Sequence, residues 1–305
     1  MKNILLVVLF VLILCSSVFA DVIQLDDVFT KTNHWLDQQN LSITGSPSGR
    51  DDLAAFAQDE ILFYGEAVGN PAHISPNLRE MMAKTAAEVR AKKAVVEYLE
   101  GFALVGDTYI KDCMTQNEVV RISVAGFVKN VQVVASEYNK EKDTAVAVVK
   151  IGLHGPRGFA SSIYEKMMSE PKMKKSISTN NPPFSGKSVD LGDTYDGLII
   201  DTNDQNFRPA LINRIFTEKG EVLYDPAKIE KKLLVEQGCG EYASTVEKAR
   251  NALSKRGVIN PLIISATSSA SAADLKVSND DAVKIFSADL KSKFLKDARV
   301  AFVLK

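Results

Sequence analysis

The residues of this chain that could do chemistry are few and scattered. His34, His73 and His154 stand in three different contexts, and none has a second candidate ligand at metal-binding spacing. There is no HExxH, no CxxC, no glycine-rich phosphate loop and no GxSxG, so the short motifs that carry a mechanism are missing. A Ser-His-Asp arrangement needs no proximity in sequence, but nothing in the chain points to one. The densest run of oxygen ligands is Asp190, Asp193 and Asp196 followed by Asp201-Thr202-Asn203-Asp204. Carboxylates and amides at that density can hold Ca²⁺ in a loop. The EF-hand pattern fails, because Gln205 and Asn206 stand where an Asp or Asn and the glycine belong. The same residue types also end strands by Asx turns, and that is the stronger reading. Arg208 follows, either to pair with Asp201 or Asp204 or to recognise a carboxylate with its planar fork. Asp201, Asn203, Asp204 and Arg208 are therefore the candidate binding residues. No cofactor and no metal is expected. Lys172, Lys174 and Lys175, among Met167, Met168 and Met173, read as a solvated linker rather than as a membrane-contacting patch.

Positioning these residues requires elements that the pattern supplies. A strand is expected over 61–68, ended by Gly69-Asn70-Pro71. Ser75-Pro76 offers an N-cap and a first-turn proline, which starts a helix over 76–100 that Gly101 ends. Leu78, Met82, Ala86, Val89, Val96 and Leu99 lie near one face of it, taken as the buried face. Strands are expected over 102–111, broken at Gly106-Asp107, then over 119–128, 131–138 and 144–153, the last two as a hairpin. In the second half the pattern predicts strands at 198–200, 214–216, 221–224, 262–266 and 299–304. Helices are expected over 226–237 and 242–255, and a further one after the Ser278/Asp281 capping box, with a loop over 267–273. The fold class is α+β: a long helix packed on a mostly antiparallel sheet, followed by a second small α+β domain.

The N-terminus supplies Lys2, an apolar run over 4–14, and Val18-Phe19-Ala20. That is the anatomy of a secretory signal peptide cut between Ala20 and Asp21, and the apolar run is too short to span a bilayer. The expected organisation is a signal at 1–20, an N-terminal extension at 21–60, a first domain at 61–155, a linker at 156–187 and a C-terminal domain at 188–305. After the cut, 36 basic residues face 38 acidic ones, so no net charge draws the chain to nucleic acid, and no transmembrane segment is expected in the mature chain. Cys113 and Cys239 remain, an even number in an oxidising compartment. One disulfide and two buried thiols are both open.

Two stretches carry a resemblance. Ala86-Ala87, Ala91, Ala94, Tyr98-Leu99 and Gly101, followed by Val124-Ala125-Gly126-Phe127-Val128 and Glu137-Tyr138, resemble the lipoprotein-20 family and the related N-terminal domain of the flagellar assembly protein FlgT, over residues 60–155. The resemblance implies a bacterial envelope protein, periplasmic after export, of a kind in which several members build rings or disks around the flagellar motor. Gly197-Leu198-Ile199-Ile200-Asp201, Arg208-Pro209-Ala210-Leu211, Gly220 with Tyr224, and Pro261-Leu262 resemble a module that follows such domains in uncharacterised secreted proteins. No lipid-accepting cysteine is present, so anchoring is not implied. The function expected is non-enzymatic: contact with envelope proteins or with further copies of itself, accessory to flagellar or other envelope assembly. The alternative is an envelope hydrolase or small-ligand-binding protein with its site near Asp201, Asp204 and Arg208.

Overall fold

The computed structural model describes residues 23–46, 52–72, 75–171, 177, 179–203 and 205–304. Ala20 and Asp21, His73, Lys172, Lys174, Lys175 and Asp204 lie outside the described residues.

The first domain is a layered α+β unit. Strands β1 (Glu60–Val68), β4 (Gln132–Asn139) and β5 (Thr144–Gly152) form an antiparallel sheet in the order β1-β5-β4. Period-2 alternation sends Ile61 and Phe63 to one face and Leu62 to the other. Both faces are covered. Helix α1 (Thr30–Gln39) and its flanks place Leu25, Phe29, Leu36 and Ile43 against Leu62, Val146 and Val148. Helix α2 (Asp52–Gln58) leads into β1, and the opposite face of the sheet receives the long helix α3 (Pro76–Glu100). The N-terminal extension is thus the second cover of the sheet, which is why β5 is buried along nearly its whole length.

Helix α3 starts and stops where its caps predict. The Ser75 hydroxyl accepts from Leu78 N, Pro76 takes the first turn, and Gly101 is the C-cap. The face it buries differs from the expected one. Ala83, Ala87, Ala91 and Val95, with Tyr98 and Leu99, meet the sheet, whereas Leu78, Met82 and Val89 point outward. The reason is Gly65 in β1: a Cβ there would lie 2.3 Å from Ala87 O and Ala91 N. The helix backbone rests on the strand backbone, so only methyl-sized side chains fit the seam, and Ala67, Ala145 and Ala147 line its other side.

Between α3 and β4 the chain forms β2 (Ala103–Val105), β3 (Thr108–Tyr109), α4 (Ile110–Gln116) and α5 (Glu118–Lys129). The strand expected over 119–128 is this helix α5. Its buried residues Val120, Val124 and Val128 recur every fourth position, Asn117 caps Val119 N, and Ile122 is 61% exposed. The alternation of β-branched residues there is a coincidence with a true four-residue stripe, and packing overrides their strand preference. After β5, helix α6 (Phe159–Ser169) occupies the start of the long connection.

A second domain begins at about residue 197. Strand β6 (Gly197–Asp201) is central in a four-stranded sheet, parallel throughout, whose order is β10-β14-β6-β11. Its other strands are β10 (Glu241–Ala243), β11 (Pro261–Ser265) and β14 (Val300–Val303). The helix Val246–Ser254 buries Ala249 and Leu253 on one face of this sheet, against Ile199, Ala301 and Val303. A second sheet joins β8 (Arg214–Thr217), β9 (Val222–Tyr224), β12 (Ser268–Ser271) and β13 (Asp274–Val277). Two expectations are corrected here. Residues 241–243 are strand rather than the first turn of a helix, because Thr245 caps the helix from Lys248 N. The 267–273 loop holds strand β12, paired antiparallel to β13. The helix after the Ser278 cap runs Asn279–Ser292.

The domains meet through a third sheet, β3-β2-β7, in which β7 (Ala210–Ile212) pairs parallel with β2. Asn213 stands where the chain leaves this sheet for the one containing β8. It is fully buried, and its amide is saturated: it donates to Arg208 O (3.0 Å) and Ala273 O (2.7 Å), and accepts from Ala210 N (2.9 Å) and the Tyr242 hydroxyl. Tyr164 of α6 donates to Leu211 O across the junction, and Tyr224 donates to Cys239 O. Beside this knot Arg214 grips Asp274 with two nitrogens (2.9 and 2.6 Å), joining β8 to β13.

The close seam under α3 makes a firm prediction. Gly65→Ala forces helix and strand apart and costs about 1–3 kcal/mol or more. It should lower the urea midpoint of the mature chain; an unchanged midpoint would mean that the helix does not rest on Gly65.

Candidate functional site

Asp201 ends β6, at the carboxyl end of the parallel sheet, where open α/β sheets place their ligands. The polar groups there are engaged in the turn. Asp201 Oδ1 accepts from Asn203 N (3.0 Å), the Asx geometry expected of such a sequence. Asn203 adopts a left-handed φ of 49° and donates to Ala266 O, and the buried Thr202 hydroxyl donates to Val303 O (2.8 Å). Arg208 reaches a different group: its guanidinium lies 3.5 Å from the Tyr109 hydroxyl of β3, and no ion pair joins it to Asp201 among the described residues. Among the described residues no cluster of three His, Cys, Asp or Glu could hold a metal ion.

The cysteines are not bonded. Cys113 on α4 and Cys239 are both free, so of the two open alternatives the structure takes the thiols. Cys239 is buried in the knot around Asn213, its sulfur 3.4 Å from the Tyr242 hydroxyl and 3.7 Å from Ala210 O. Burial, reinforced by Asp112, pushes the Cys113 thiol up to about 11, and burial raises Cys239 too. Both stay protonated at neutral pH and are poor nucleophiles.

The histidine that matters is His154, at the end of β5, and sequence reasoning placed it in no site. Its Nδ1 and its backbone N–H both meet Asp59 Oδ1, each at 2.8 Å. Asp59 holds a left-handed φ of 59° just before β1, and its carbonyl accepts from Leu153 N. On the other side of the ring, a Cβ at Gly238 would fall 2.4 Å from His154 Nε2. Asp59 thus engages Nδ1, only a glycine fits at 238 beside Nε2, and Gly155 N donates to Val235 O nearby (2.7 Å). The ring ties Asp59, ahead of β1, to Gly238 of the second domain. Asp59 and His154 line a cavity of about 770 Å³ between α5, α6 and one end of the first sheet.

The outer side of α3 carries exposed apolar residues. Leu78, Met81, Met82 and Val89 are exposed, Val89 at 62%. Around them run the ion pairs Glu80–Lys84, Glu88–Lys92 and Lys93–Glu97 (2.8, 2.8 and 3.1 Å), all at i,i+4 spacing.

Acid should probe the clamp. Burial opposes the Asp59 charge, but the hydrogen bonds and charge of His154, with the N–H groups of His154 and Leu153, outweigh it and hold this carboxyl below its ordinary value. A carboxylate lowered on folding contributes stability above its unfolded pKa and loses it as pH falls through the folded one. Asp59→Asn should therefore be less stable than the wild type at pH 7, with the gap closing below about pH 4. Urea titrations across pH 2–7 read this, and a gap independent of pH would refute it.

A family model described as Treponema pallidum Tp0624, second domain, matches residues 197–305. The match opens on the first residue of β6 and covers the parallel sheet and the sheet containing β8. No curated protein matches the chain. The second domain is similar to that treponemal domain.

Proposed function

We propose that this is a non-enzymatic protein of the bacterial cell envelope, exported by its N-terminal signal and working by protein–protein contact through the outer face of α3. The observation that carries the reading is the placement of Leu78, Met82 and Val89 on the side of α3 opposite its alanine seam, where this chain leaves them uncovered. A long helix gains nothing in solubility from such a stripe, whereas helix faces with apolar residues at i, i+4 and i+11 are a recurrent means of docking. The resemblance of residues 60–155 to the lipoprotein-20 family and the FlgT N-terminal domain favours an envelope assembly, of which the flagellar base is the specific case. The similarity of residues 197–305 to a treponemal domain agrees with a bacterial source and adds no activity. Among the described residues no helix is long and apolar enough to cross a membrane.

Photo-crosslinking in cells tests it, with the reactive residue at position 82 or 89 and a control at the solvent-exposed Lys255. Crosslinks to an envelope protein are expected at 82 and 89 and not at 255. Met82→Glu, at a position 44% exposed, should leave folding within about 0.5 kcal/mol and weaken that contact at least about tenfold. A deletion strain with reduced motility would identify the flagellar case. Absence of envelope crosslinks at both positions would end the proposal.

A further inference from the structure

The geometry points to a second, independent site: the cavity between α5 and α6 is a binding site for a small acidic sugar. Its volume of about 770 Å³ falls in the range of small-molecule pockets. The acidic groups of its wall are already engaged. Asp59 holds His154, Glu60 holds Lys150 at 2.8 Å, and Glu165 faces Lys231 at 3.5 Å. Two cations of the wall, Arg157 before α6 and Lys166 within it, have no acidic partner among the described residues. With Lys231 added at the edge of the wall beside Glu165, and leaving His154 out of the count, four cations face three carboxylates, a surplus of one positive charge, fit for one carboxylate. The rest of its wall is neutral. Gln132 and Ser162 offer an amide and a hydroxyl to ligand hydroxyls, and the half-buried Phe127, held against Phe159 at 5.4 Å, offers a ring for the C–H face of a pyranose.

Gly126 supplies the sharper argument. It lies inside α5, where glycine is the poorest choice short of proline. A Cβ built there meets nothing within 4 Å. Gly155, Gly192 and Gly257 have the same open surroundings, but each sits at a positive φ that explains it. Among the described residues Gly126 has neither a backbone reason nor a packing reason, and it faces the cavity. A flat helix surface at that point suits a ring that lies against it.

Titration calorimetry of the mature chain tests this with two matched pairs: N-acetylmuramic acid against N-acetylglucosamine, and galacturonic acid against galactose. Saturable binding is expected for at least one acid, at least tenfold weaker for its neutral partner; which acid binds separates a cell-wall amino sugar from a uronic acid. The double substitution Arg157→Ala/Lys166→Ala, at exposed positions, should weaken binding at least tenfold. Gly126→Ala should raise the Tm by a few degrees, as a better helix former, and still weaken binding at least tenfold. Stability and binding then move in opposite directions, which loss of folding cannot imitate. No binding of either acid at about 10 mM, equal binding of acid and neutral sugars, or wild-type binding by Gly126→Ala would each overturn the site.

Discussion

The junction of the two domains is organised by one buried amide. Asn213 offers two donors and two acceptor positions, and all are used within the protein, by Arg208, Ala273, Ala210 and Tyr242. No water is needed to satisfy it, so the knot can sit in the dry interior where each of its bonds is strong and any missing one expensive. Its position accounts for the topology around it. By fixing Ala210 it holds β7 in register beside β2 of the first domain, and by fixing Ala273 it sets β13 beside β8. Tyr242 reaches the same point from β10, and its ring packs edge-on against Phe56 of the first domain at 5.0 Å. Three sheets are thus referred to one residue, and a single apolar core runs from Ala55 to Leu304 around it.

From this the two surfaces follow. The first domain binds the second through β2, α6 and the Asp59–His154 clamp, which leaves the outer side of α3 uncovered. Beside Gly65 the alanine seam leaves no room for large side chains, so Leu78, Met82 and Val89 face solvent while Val95, Tyr98 and Leu99 pack inward farther along α3. The cavity lies between α5, α6 and one end of the first sheet. Both features are consequences of how the helices are held, and neither depends on the turn at Asp201.

Legibility in the sequence divides along physical lines. Local chemistry was readable. Ser75-Pro76 and Gly101 mark the ends of α3, Ser278 marks the last helix, and Asp201 with Asn203 forms the Asx turn that their types suggest. What depended on close approach was not. Nothing in the pattern of α3 says that its alanines rather than its larger residues face inward, because the deciding residue, Gly65, is in another element. Helix α5 reads as a strand because Val120, Ile122 and Val124 alternate; the fourth-residue stripe to Val128 and the Asn117 cap are the signals that tell it from one. Asp59 and His154 are separated by 95 positions and Arg208 and Tyr109 by 99, and no spacing rule joins such pairs.

The central claim is that the domains share one core closed by the Asn213 knot and therefore unfold together. Scanning calorimetry of the mature chain under reversible conditions measures this directly. One transition, with a calorimetric enthalpy equal to the van't Hoff enthalpy, is the result the structure predicts; two separable transitions, one for each domain, would contradict it.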